Sequence, residues 1–249
     1  MRHATHLRAA LRGAPLLGVW ANVPSPLTCE LAAAVGADYV VVDQQHGAVD
    51  QTGMLAMLQA IQLGGAAPLV RVARNDPFLI GSALDLGALG VIVPMVESAD
   101  EAARAVAACR YAPEGNRSIG VLRAAVADDV AEPEPPLCLV MVETRTGLEA
   151  AEDIAATPAL DGIYIGPSDL ALSFGLPATR LLEHPPVLEG IERVRAACAA
   201  EDRLCGLHCL AAEDVPRHAA EGFAMVTVGA DLAYLRDALA AALATARGV

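Results

Sequence analysis

Four places in the chain carry residue types that could do chemistry together: Asp43-Gln44-Gln45-His46, Arg71, Glu143-Thr144-Arg145 and Gly166-Pro167-Ser168-Asp169. Glu143 and Asp169 offer hard carboxylate oxygens, with no cysteine or second histidine near them in sequence. That donor set suits a divalent ion such as Mg2+, which takes one or two carboxylates and keeps several waters; Mn2+ or Co2+ could substitute. The open positions on such an ion would take the carboxylate and keto oxygens of a 2-oxo acid, with the ion as Lewis acid for an enolate. Arg71 would add positive charge at the developing oxyanion, or form a structural salt bridge with a carboxylate. His46 is the plausible base of the set, because its pKa lies near neutral. His208 competes with it, since it too lies in a strand pattern.

Each of these places closes a short apolar run. The chain has eight such runs: Leu16 to Ala21, Tyr39 to Val42, Pro68 to Val72, Val91 to Val96, Leu137 to Val142, Gly162 to Ile165, Leu204 to Cys209 and Met225 to Val228. Most are rich in valine and isoleucine and continuous rather than alternating, the pattern of parallel strands covered on both faces. Ala-rich stretches at helical spacing lie between them, such as Thr28 to Val35, Thr52 to Leu63, Asp100 to Cys109 and Val187 to Ala200. Gly36, Gly64, Gly87 and Gly222 stand where helices should end. Eight strand–helix units in 249 residues predict an α/β fold, a (β/α)8 TIM barrel, as one domain over 1–249. A doubly wound sheet is the runner-up, but the chain has no G-x-G-x-x-G turn. In a barrel the C-terminal strand ends share one rim, so all four places converge there. Two long connections, Arg110 to Pro136 and Ala171 to Pro186, would overhang that mouth.

Composition narrows the chemistry further. All 17 basic residues are arginine, so Schiff-base aldolase chemistry, pyridoxal phosphate and a Walker A loop are excluded for want of a lysine. With 55% apolar and 19% charged residues the chain is not disordered. A net charge of -13 argues against nucleic acid and anionic membrane surfaces as partners. No apolar run approaches the ~20 residues of a membrane span. Leu16-Leu17-Gly18-Val19-Trp20 is too short for a signal peptide, so the chain reads as soluble and cytoplasmic. The six cysteines read as buried thiols. Cys205, His208 and Cys209 lack the two-plus-two spacing of a zinc site. His3, His6, His184 and His218 read as surface residues.

The same motifs, in this order and spacing, resemble the class II, metal-dependent pyruvate aldolases of the HpcH/HpaI family. The resemblance runs from Gly18-Val19-Trp20 to Val228-Gly229-Ala230-Asp231 and includes Asn75-Asp76-Pro77, Val93-Pro94-Met95-Val96, Tyr111 to Arg117 and Gly166 to Leu170. It implies a reversible aldol cleavage of a 4-hydroxy-2-oxo acid into pyruvate, or a related 2-oxo acid such as hydroxypyruvate, and an aldehyde. By position it implies His46 as catalytic base, Asp85 as its carboxylate partner, Arg71 as enolate stabiliser, and Glu143 and Asp169 as ligands of Mg2+, Mn2+ or Co2+. Trp20, Arg71, Gly166, Ser168 and Asp169 would contact the substrate. Residues alone would make Asp85 a solvated helix residue. The resemblance further implies a homo-oligomer, a hexamer or trimer of swapped dimers, with Ala233 to Ala246 as the exchanged helix.

Three departures from the family pattern bear on specificity. Gln45 stands where the family usually has Glu, and Met141 stands where several members place a substrate-contacting Gln. The loop over 118–136, which holds Arg123, looks shortened. Two other functions use the same residues: a citrate-synthase-like or acyl-CoA lyase condensation through the same enolate, and a non-catalytic 2-oxo acid binding protein.

Overall fold

In the computed structural model the apolar runs form eight parallel strands that close into a barrel in sequence order. The structure describes residues 7, 11, 13–120, 135–209 and 211–248. The strands are β1 (Leu16–Ala21), β2 (Tyr39–Asp43), β3 (Ala67–Arg71), β4 (Gly90–Val93), β5 (Leu137–Val142), β6 (Gly162–Ile165), β7 (Leu204–His208) and β8 (Met225–Ala230). Between them run α1 (Pro26–Ala34), α2 (Gln51–Gly64), α3 (Pro77–Asp85), α4 (Ala99–Cys109), α5 (Arg145–Glu149), α6 (Ala151–Ala155), α7 (Pro167–Ser173), α8 (Pro185–Ala200) and α9 (Val215–Ala220), with α10 (Asp231–Arg247) last. No helix among the described residues is long and apolar enough to cross a membrane.

Local sequence sets the ends of these elements. Ser25, Asp50, Asp76, Ser98 and Thr144 each accept a backbone N–H at a helix start, an N-cap whose loss typically costs about 1 kcal/mol. Gly36, Gly87 and Gly222 adopt the left-handed conformation after their helices, as the sequence suggests. At α2, however, the cap is Gly65 and Gly64 is the last helical residue. The fourth strand also stops earlier than its apolar run, at Val93 rather than Val96. Pro94 has no N–H to give the ladder, and Met95 turns to a φ of +56°.

Two apolar layers hold the barrel. The outward faces of the strands pack with the helices, including Val40, Val70, Val91, Ile163 and Val226. The interior is filled by Trp20, Tyr39, Leu69, Ile92, Leu139 and Tyr164, among others. The two buried tyrosines need room and partners. Gly18 and Gly206 supply the room: a Cβ there would lie 2.1 Å and 2.5 Å from the Tyr39 and Tyr164 rings. The partners are each other, with hydroxyls 3.1 Å apart, and Thr227, which hydrogen-bonds Tyr164. The interior is therefore a packed plug, and open space is left at the C-terminal rim.

The helix layer is incomplete at its end. α10 has no buried residue, and Leu232, Leu235, Leu239 and Leu243 are each at least half exposed. Its first residue is nevertheless fixed: Asp231 accepts the Asn22 and Val23 amides and ties β8 to the β1–α1 loop.

Candidate active site

A pocket of about 220 Å³ opens at the C-terminal rim. Residues from seven of the strands and the turns after them line it, with Ala230 closing β8. β1 supplies Trp20, β2 Asp43 with His46 beyond it, β3 Arg71 and β5 Met141 with Glu143 beyond it. The β6–α7 turn adds Gly166 to Asp169, and β7 His208. The structure thus brings together His46, Arg71, Glu143, Asp169, Ser168, Gly166 and Trp20. The volume lies below the ~300–1,000 Å³ of sites for drug-sized ligands and suits substrates of a few heavy atoms.

The β2–β3 side of the pocket is a closed ion pair. Arg71 donates to Asp43 through Nε at 2.9 Å and Nη2 at 2.6 Å, and both side chains are buried. Asp43 also accepts from Asn22 Nδ2 and from the Gln45 and His46 amides. Burial alone would raise the Asp43 carboxyl, but Arg71 and the two amides outweigh it and hold it below its ordinary 3.8. The Arg71 guanidinium also lies 5.0 Å from the centre of the Trp20 ring. Arg71 therefore has the carboxylate partner that its residue type allowed, and it lines the pocket as well.

The β5–β6 side is different. Glu143 is 1% exposed. Its Oε1 accepts, at 2.8 Å, the amide of Met95, the residue at which the backbone leaves β4 with a left-handed φ. Its Oε2 is buried with no hydrogen-bond partner. Burial pushes this carboxyl up to about 7, and the negative fields of Asp169 and Asp43 add to the rise. A Cβ on Gly166 would sit 2.5 Å from Oε2, so the glycine keeps space beside that oxygen. An unpaired carboxylate oxygen, a second carboxylate close enough to feel, and a cleared backbone fit a hard divalent cation. Among the described residues no group of three or more His, Cys, Asp or Glu side chains is arranged to hold an ion, and these two carboxylates are the pair that face this space.

The histidines divide sharply. His46 is exposed at the mouth, fixed through its backbone N–H to Asp43. His208 sits deeper, with its ring edge-on to Trp20 at 4.9 Å. Burial, then the positive field of Arg71, pushes it down to about 4, so it is neutral at pH 7. His218 is buried rather than superficial: its ring packs on Phe223 and bonds Glu221. A six-residue helix is too short to display the periodicity that would have marked that face. His184 is partly exposed, and His3 and His6 lie outside the described residues.

Asp85 is not brought to His46 within one chain. α3 starts at the rim after β3 and runs back along the barrel, so its last residue, Asp85, lies at the opposite end. There its carboxylate accepts from Arg117 at 2.6 Å. Arg123 and the segment 121–134 lie outside the described residues. Sequence reasoning passed over three contributors: Asp43 as the partner of Arg71, Asn22 as its support, and the Met95 backbone. Asp43 was visible as a strand-end carboxylate; Asn22 and the Met95 turn carried no signal beyond their neighbours.

Comparison with known proteins agrees with this geometry. The model of the HpcH/HpaI aldolase/citrate lyase family matches residues 16–238. A hydroxypyruvate/pyruvate aldolase of Chromohalobacter salexigens is 38% identical over 238 residues, 93% of each chain. A 5-keto-4-deoxy-D-glucarate aldolase of Salmonella arizonae is 35% identical over 226 residues, 88% of each. The crystal structure of an HpcH/HpaI aldolase/citrate lyase family protein from Burkholderia cenocepacia superposes with a TM-score of 0.89. It is 32% identical and covers 98% of this chain and 99% of that one.

Proposed function

The chain belongs to the HpcH/HpaI aldolase/citrate lyase family and is an enzyme of the aldolase class, and from that premise we propose that it reversibly cleaves a 4-hydroxy-2-oxo acid into pyruvate or hydroxypyruvate and an aldehyde. The observation that carries this reading is the buried Glu143 carboxylate, with one oxygen unpartnered, in the same small pocket as the fixed Arg71 guanidinium. Glu143 and Asp169 would hold Mg2+, Mn2+ or Co2+, which when bound supplies a Lewis acid for the 2-oxo acid and its enolate.

The chain's own residues do the rest. The turn from Gly166 to Asp169 receives the substrate carboxylate against Trp20. His46, at the solvent side, takes the proton from the C4 hydroxyl. The electrons of that O–H bond form the aldehyde carbonyl, the C3–C4 bond breaks, and its pair becomes the enolate. Arg71, held rigid by Asp43, places positive charge in the pocket without reorganising as that charge develops. C3 then takes a proton, and the aldehyde and 2-oxo acid leave. An Asp85–His46 pair would have to be made between two copies of the chain. The uncovered leucine stripe of α10 supports such a homo-oligomer, a hexamer or trimer of swapped dimers. Six free, buried cysteines suit a reducing compartment, the cytoplasm.

The test needs no knowledge of the aldehyde. Metal-stripped protein is given Mg2+, Mn2+ or Co2+, and the methyl protons of pyruvate are followed by NMR in D2O. We expect metal-dependent deuterium exchange that is abolished in Glu143→Ala. Absence of exchange with both pyruvate and hydroxypyruvate would overturn the reading.

A further inference from the structure

His208 lines the pocket but has no part in the steps above. It ends β7, and Trp20 fixes its ring edge-on from β1. Among the described residues neither ring nitrogen has a hydrogen-bond partner. A neutral imidazole carries one N–H donor and one acceptor nitrogen, so both capacities are left to whatever occupies the pocket. Of the polar side chains beside it, Arg71, Asp43 and Asn22 are engaged with one another, while His46 and Ser168 lie towards the mouth and the β6–α7 turn. Arg71 is the one cation lining the pocket among the described residues, and Asp43 holds it by two hydrogen bonds. Asn22 Nδ2 is given to Asp43 as well.

From this arrangement we propose that His208 determines substrate specificity by hydrogen-bonding an uncharged hydroxyl group of the substrate. The hydroxyl is carried on C3 of the 2-oxo acid or on C2 of the aldehyde; the inference rests on the aldolase reading. Because burial and Arg71 keep the ring neutral, it offers no charge to an acid-terminated aldehyde and full donor and acceptor capacity to an alcohol. A site built to bond a hydroxyl rejects the analogue lacking it, because its own polar group is then left unpaired. His208 and Pro167 also line a second cavity of about 230 Å³, with Leu181, Ile191, Leu207 and Cys209 on its apolar walls and Arg180, Glu183, Asp214 and His218 among its other lining residues. The ring thus stands between the reaction site and a second space that has apolar walls beside the ring, Leu207 and Cys209 among them. Shortening it would open room for an alkyl group.

Two isosteric pairs test this: glycolaldehyde against propanal as acceptors, and hydroxypyruvate against 2-oxobutanoate as donors, each exchanging a hydroxyl for a methyl. The wild-type enzyme should favour the hydroxylated member of at least one pair, by about tenfold or more in kcat/KM. His208→Leu and His208→Ala should collapse that ratio, and His208→Gln, which keeps a donor and an acceptor, should retain most of it. The pair that collapses identifies where the hydroxyl sits. Equal kcat/KM within both pairs in the wild type overturns the proposal without any variant. So do ratios within about twofold of wild type in the folded Leu and Ala variants. Failure of the aldolase reading itself is separately visible, because pyruvate exchange requires neither a hydroxyl nor an aldehyde.

Discussion

On the β2–β3 side of the barrel mouth Asp43 and Arg71 satisfy each other, and Asp43 takes three further hydrogen bonds. On the β5–β6 side Glu143 has one backbone amide, a like-charged neighbour and a buried bare oxygen. Both carboxylates are buried at the C-terminal end of a parallel strand, yet one is held below its ordinary pKa and the other is raised to about 7. The difference is the counter-charge. Where the chain supplies its own cation, the carboxylate becomes part of the scaffold. Where it does not, the carboxylate carries a stability cost that an external cation would relieve.

Breaking the closed side should have the largest effect. Asp43→Ala leaves the Arg71 guanidinium buried without its partner, and we expect a loss of about 3–5 kcal/mol of folding stability. Chemical denaturation would show it, with aldolase activity lost in parallel. The matching change on the open side should have the opposite sign. Glu143→Gln removes a buried charge, so the metal-free variant should be more stable than metal-free wild type above neutral pH, by about 3 kcal/mol at most.

The pH dependence of that difference follows from the direction of the shift. Between about 4.5 and about 7 the folded protein binds more protons at Glu143 than the unfolded chain does. Stability contributed at this site is therefore full below about 4.5 and falls as pH rises through 7. His208, lowered from 6.5 to about 4, contributes the opposite slope. The informative quantity is thus the gap between wild type and Glu143→Gln, which should open across this window. A gap that stays constant with pH would contradict the assignment. The smallest effect belongs to the support of the closed pair. Asn22→Ala removes one hydrogen bond to Asp43 and should cost about 1 kcal/mol, read as a modest shift in the denaturation midpoint.

Much of this division was legible before the structure. Continuous valine- and isoleucine-rich runs placed β1, β5 and β6 to the residue, because a strand buried on both faces has no polar alternation to blur its limits. Glu143, Asp169, Arg71 and His46 were visible because polar residues that close apolar runs must lie at the rim. What separates the two carboxylates was not legible. It depends on Arg71 choosing Asp43 across the β2–β3 register and on a backbone turn at Met95 that a strand-like run concealed. The Asp85 assignment came from family resemblance, and within one chain the course of α3 carries that residue to the opposite end. The bare surface of α10 falls on the stretch that family resemblance marked as an exchanged helix, Ala233 to Ala246; its own residues gave no sign that its leucines stay uncovered within one chain.

The central claim, that the open side is built for a divalent cation, is tested most directly by thermal denaturation of wild type and Glu143→Gln at about pH 8, with and without Mg2+ or Mn2+. The account predicts that the cation raises the Tm of wild type and leaves Glu143→Gln unmoved, and that without metal the variant melts higher. An equal rise in both proteins, or no rise in wild type with either ion, would contradict it.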